Sequence, residues 1–332
     1  MNNLFNTIFS NDIYFFPFAA ALLIGALAPV AGCFLVLRRA TFLGVALPQV
    51  SAAGMVLGAL FCAALGIGHS SDAFCTHCAG LAQTDAQTDA ATTAAAQGNW
   101  FVANAGVFVQ MFIALVITFG TLLLLTRLEQ RSASGRGTGS DARHGALYVL
   151  AGAGAVLLLA TRPQLDEKFK EILSGQIVSV GVGDIWLLVA ALVPATLLFT
   201  LFRHEFLWSG GDPCFVAAAG RRVFFWNTLL SFLLGVVICA TVYIAGPLVC
   251  LGAMLLPALS AYVLAPNMRV FLLAAPLLGL LGAFVGFVFS SVEGWELAPN
   301  LPLGMSIVAA HGCILAAAKL ASAASRLVPA GR

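Results

Sequence analysis

The chain has 332 residues, of which 61% are hydrophobic and only 9% charged. Ordinary soluble domains carry about 25% charged residues, so this chain cannot coat itself with a polar surface, and the lipid bilayer is its solvent. The mean hydropathy is +0.98, and a formal net charge of only +2 argues against nucleic acid as the partner.

A helix rising ~1.5 Å per residue needs about 20 apolar residues to cross a hydrocarbon core about 30 Å thick. In chain order such windows fall at 13–37, 44–68, 100–126, 144–162, 184–202, 223–243, 246–265, 269–290 and 303–320. The first is longer than the apolar region of a signal peptide, and residues 1–12 hold no Lys or Arg, so it reads as a permanent helix. The seventh starts at Gly246-Pro247 and contains Pro257, which leaves a whole, a broken and a re-entrant span open. The expected fold is therefore an all-α integral membrane protein, one polytopic domain over 1–332 with eight or nine transmembrane helices.

Basic residues set the orientation. Arg38 and Arg39 follow the first window; Arg127, Arg131, Arg136 and Arg143 join the third to the fourth; Arg203, Arg221 and Arg222 join the fifth to the sixth. Arg269 follows the seventh, and Lys319, Arg326 and Arg332 close the chain. All of these fall on the cytoplasmic side if the N-terminus is outside. Arg162, Lys168 and Lys170 are the exceptions, in an outside segment that also holds Asp166, Glu167 and Glu171.

Two stretches differ in composition from the rest. Residues 69–99 are polar, rich in Ala and Thr and free of Lys and Arg, which predicts a disordered outside loop. It contains His69, Cys75, His77 and Cys78. Its Cys-x-x-Cys with two nearby His suits a four-coordinate zinc site, a disulfide in an oxidising compartment, or no role, and the three stay open. Residues 129–141, rich in Ser, Gly and Arg, predict a flexible cytoplasmic linker.

Between the fifth and sixth windows, 210–220 predicts a short helix. Asp212 is its N-cap, Pro213 fits the first helical position, an Ala run follows, and Gly220 ends it. An ordinary capped loop helix would look the same. The chain has no phosphate-binding Gly-x-x-x-x-Gly-Lys-Ser/Thr loop, no His-Glu-x-x-His and no Gly-x-Ser-x-Gly, so it is not expected to be an enzyme or to hold a cofactor of its own.

Four stretches together resemble the permease subunits of zinc-, manganese- and iron-type ABC importers, the ZnuB/MntB type. They are Gly32–Arg39 continuing to Gly54, Glu171–Gly175 followed by Asp184, Phe202–Phe206 leading into Asp212-Pro213, and Gly246–Leu248 through Ala253–Ala258. The resemblance covers about 17–320 except 69–99. It implies a multi-pass permease of the bacterial inner membrane that imports a divalent metal ion, zinc first, then manganese or iron. It also implies a homodimeric pore, ATP hydrolysed on a separate cytoplasmic ATPase, and a periplasmic or lipid-anchored binding protein. The helix at 210–220, with Asp212, Pro213, Phe215 and Gly220, would then dock in a cleft of the ATPase.

One departure bears on the cargo. The family usually reads Gly-Asp-x-Leu-x-His-Ala after its Arg pair, a carboxylate and an imidazole one helical turn apart. Here Val45 stands for the Asp and Gln49 for the His. Valine cannot ligate, and a neutral amide is a poor zinc ligand. Gln49 remains a residue of the substrate path. Cys250 with Met254, four positions apart, and His311, near Met305 and Cys313, are the residues that could compensate. Core packing explains the first two as well, and a hydrogen bond to a neighbouring helix explains the third. A gradient-driven secondary transporter and a non-transporting membrane scaffold are the alternatives. The first usually places carboxylates within its spans, and here they hold almost none.

Overall fold

The computed structural model of the chain describes residues 12–38, 40–65, 105–132, 139–160, 180–211, 223–291 and 302–327. The loop 69–99 and the segment 212–220 lie outside them. The described elements are α-helices: α1 (Asp12–Leu37), α2 (Thr41–Leu65), α3 (Ala105–Ser132), α4 (Gly139–Ala160), α5 (Val182–Leu201), α6 (Arg203–Gly211), α7 (Val223–Leu264), α8 (Met268–Ser291) and α9 (Leu303–Leu327). The described part of each apolar window lies on a helix.

The ends differ from the windows in an instructive way. Helix α3 continues to Ser132, α4 already starts at Gly139, and α9 runs on to Leu327. Hydropathy marks where the bilayer ends, whereas a helix continues as long as its backbone ladder is favourable. Much of the expected linker at 129–141 is therefore helix, since Arg, Glu and Gln after Leu125 have good helix propensity. Helix α5 starts where Asp184 accepts a hydrogen bond from the Gly181 N–H at 2.9 Å, which places a carboxylate at a helix N-terminus.

Helix α7 is two limbs. Its 42 residues would extend about 60 Å as one helix, twice the hydrocarbon core. At Gly246 the backbone takes φ 79° and ψ 165°, a region essentially confined to glycine. Pro247 then supplies no N–H. The neighbours of the two limbs show that the chain reverses there. In the first limb, Asn227 Oδ1 accepts a 2.8 Å hydrogen bond from the Arg38 guanidinium, just past the end of α1. In the second, Leu255 lies beside Gly44, at the start of α2, together with Leu35 of α1. Both limbs therefore approach the same end of the bundle. Arg127 of α3 also lies at that end, stacked over Phe224 at 5.6 Å. Among the described residues, seven helices are long and apolar enough to cross a membrane. Dividing α7 at Gly246 and adding α4, whose apolar stretch Ala142–Leu158 is shorter, gives the nine windows of the sequence.

Helix α7 forms the centre and packs against α1, α2, α3, α5, α6, α8 and α9, whereas α4 lies on α2. Its span is 78% buried, against 17% for that of α3. Side chains such as Leu150, Leu157, Trp186, Leu273 and Leu320 stand outward and exposed. So large an apolar surface is stable only against lipid.

Without a hydrophobic force between helices in lipid, close contact between small residues holds the bundle. A Cβ on Gly25 of α1 would lie 2.7 Å from the Gly279 carbonyl oxygen of α8. The two backbones touch directly.

Candidate functional site

The residues singled out from the sequence occupy three places. Val45 and Gln49 are half-buried on α2, one turn apart. Val45 packs against the main core. The Gln49 side-chain oxygen lies 3.9 Å from where a Cβ on Gly152 of α4 would be, so the amide faces α4.

Cys250 and Met254 lie in the second limb of α7 and are buried. The Met254 main chain sits directly against Gly32 of α1. Cys239, in the first limb of the same helix, is also buried. Ser51 Oγ donates to Cys239 Sγ at 3.3 Å, and that thiol in turn contacts Thr118 Oγ1 at 3.7 Å. Sequence reasoning missed Cys239, because Ser51 and Thr118 are 188 and 121 positions away from it. The one available signal was a polar side chain on each of three apolar windows. The hydroxyls and thiols satisfy one another where no water reaches.

His311 is buried in α9. Its Nδ1 is 2.8 Å from the Ile307 carbonyl oxygen and its Nε2 is 3.0 Å from that of Gly279 on α8. The ring lies flush against Gly282, where a Cβ would collide with it. A neutral imidazole has one N–H and so donates to one of the two carbonyls at a time. Both nitrogens face acceptors, and the ring would have to leave them to meet a cation. Met305 is half-buried and Cys313 exposed, on other faces of the helix. Among the described residues no three His, Cys, Asp or Glu side chains gather closely enough to hold a metal ion.

At the end of the bundle where Arg38 and Arg127 lie, α5 bends at Phe202 into the nine-residue α6. Gly210 and Gly211 close α6, so these two glycines end a helix rather than open the one expected from 210. Asp212, Pro213, Phe215 and Gly220 lie outside the described residues, as do His69, Cys75, His77 and Cys78. Phe206 of α6 inserts among Phe34 of α1, Phe199 of α5 and Trp226 of α7, with ring centroids 5.8, 5.9 and 5.9 Å away.

The overall arrangement of helices has known counterparts. The model of the ABC 3 transport family matches residues 11–95 and 84–318. The chain belongs to that family. The manganese import system permease protein ScaB of Streptococcus gordonii is 24% identical over 292 residues, covering 86% of each chain. The manganese transport system membrane protein MntC of Halalkalibacterium halodurans is 25% identical over 273 residues, covering 82% of this chain and 77% of its own. Among solved structures, PsaBC from Streptococcus pneumoniae in complex with Fab matches with a TM-score of 0.70 at 18% identity, covering 96% of this chain and 94% of that one. The likeness to that structure concerns the fold.

Proposed function

We propose that this chain is the pore-forming subunit of an importer for a divalent metal ion, driven by ATP hydrolysis on a separate cytoplasmic subunit. The observation that carries the proposal is the family match running from residue 11 to 318, together with the placement of α6 directly before Asp212. A second copy of the chain would complete the pore, and an extracytoplasmic binding protein would deliver the ion. The basic ends of the helices support a cytoplasmic position for the α6 end, an outside N-terminus and an inner-membrane location.

The cargo is set apart from the general family pattern by Val45 and Gln49. Manganese is supported by the names of the relatives, and it tolerates oxygen ligands such as an amide carbonyl. Zinc, the first expectation from the resemblance, is the competitor, since thiols and thioethers favour it. Gln49, Cys250 and Met254 are proposed to line the path. Cys250 and Met254 are buried in this state and would meet the ion when α1 separates from α7. Cys75 and Cys78, with His69 and His77, are proposed to capture metal at the outer mouth.

Alternating access gives these residues their order of action. ATP binding closes the partner ATPases, each docking segment follows its ATPase, and the limbs of α7 move about Gly246. The test is co-purification with the products of the neighbouring genes, assayed for ATP hydrolysis, followed by Asp212→Ala with Phe215→Ala. Hydrolysis that continues while uptake stops is expected. Unchanged uptake in that double variant would contradict the docking role. Unchanged uptake at limiting metal after Cys75→Ser with Cys78→Ser would remove the capture role.

A further inference from the structure

The position of Phe206 carries a more specific conclusion, which rests on the permease reading above. Helix α6 ends at Gly211, directly before Asp212. Two hydrogen bonds bracket its junction with α5: Phe202 N–H donates to Leu198 O at 3.0 Å, and Phe206 N–H donates to Phe202 O at 3.1 Å.

Among the described side chains of α6, Phe206 alone is buried, while His204 and Trp208 are exposed. Its ring touches three other helices. Phe34 comes from α1, stacked in turn on Phe199 of α5 at 5.1 Å. Trp226 comes from α7 and also meets Phe202 at 5.3 Å. Beside Trp226, the bond from Arg38 to Asn227 ties α1 to α7. Protein interiors are close-packed and barely compressible, so a displaced ring must displace its neighbours. Any shift of α6 is thereby delivered to α1 and to the first limb of α7, the two helices that also carry the Gly32 contact and the Gly246 reversal.

We infer that Phe206 is the joint that converts movement of the docking segment into separation of the pore helices. It is a positioning residue and touches neither ATP nor cargo. The experiment uses the complete complex in liposomes and reads metal ions imported per ATP hydrolysed. Phe206→Ala is expected to insert, to keep the ATPase bound and to hydrolyse ATP, while that ratio falls by at least about fivefold, the low end of coupling between sites. Phe206→Leu, which keeps most of the volume but not the ring, is expected to fall between. Trp208→Ala, exposed on the same helix, is expected to leave the ratio unchanged.

An unchanged ratio in Phe206→Ala would overturn the inference. Loss of insertion or of the ATPase in both Phe206→Ala and Phe206→Leu would also overturn it, because the ring would then only hold the fold. A wild-type complex that binds no ATPase would instead overturn the permease reading.

Discussion

Gly25 and Gly279 pass each other with their backbones in contact: a Cβ on Gly25 would lie 2.7 Å from the carbonyl oxygen of Gly279 and 2.6 Å from Cβ of Ala283. The carbonyl of Gly279 is also the one that faces His311 Nε2. One glycine thus joins α8 to α1 on one side and to α9 on the other.

Gly279→Ala therefore tests helix packing in isolation. The added methyl meets backbone, which cannot rotate away, and overpacking of this kind costs about 1–3 kcal/mol. Thermal unfolding in detergent is expected to show that loss. Gly120→Ala is the control. Nothing lies within 4 Å of a Cβ there, and alanine gains helix propensity, so stability is expected to hold or rise slightly. Equal behaviour of the two variants would contradict the close crossing.

The reversal at Gly246 predicts sidedness. With Cys75, Cys78 and Cys214 replaced by Ser, Asn267→Cys is expected to react with a membrane-impermeant maleimide from the same face as Ser134→Cys. Asn300→Cys is expected to react from the opposite face. Asn267 and Ser134 labelling from opposite faces would mean that α7 crosses once. Gly246→Ala should cost about 1–3 kcal/mol, the usual strain of a side chain in that backbone region, again read by thermal unfolding.

The windows and their order were legible in the sequence because crossing a bilayer demands a long apolar run, and nothing in a loop imitates it. The break at Gly246-Pro247 was legible too, since Gly and Pro announce a change of direction. Which of the open forms it takes was not, because the reversal depends on Leu255 returning to Gly44 and Leu35. The candidate site was legible only as residue types. Cys239 gains meaning from Ser51 and Thr118, on other helices, and His311 from Gly279 and Gly282 on α8. Pairings of this kind are fixed by helix rotation and crossing, which apolar periodicity barely constrains when helices are apolar on nearly every face.

His311 allows packing and ligation to be separated. His311→Ala removes the link to Gly279 and leaves a void beside Gly282, with an expected cost of about 1–3 kcal/mol. The concentration dependence of metal uptake is expected to stay as in the unaltered protein. A KM raised many-fold with unchanged stability would show that the ring meets the cargo.

Uptake itself decides most. The chain, reconstituted in liposomes with the proposed ATPase and binding protein, should be offered manganese, zinc, iron and copper one at a time, with and without ATP. ATP-dependent accumulation of one divalent metal, manganese before zinc, is expected. Accumulation that needs an ion gradient and not ATP, or no accumulation of any of the four by a complex that hydrolyses ATP, would contradict a metal importer.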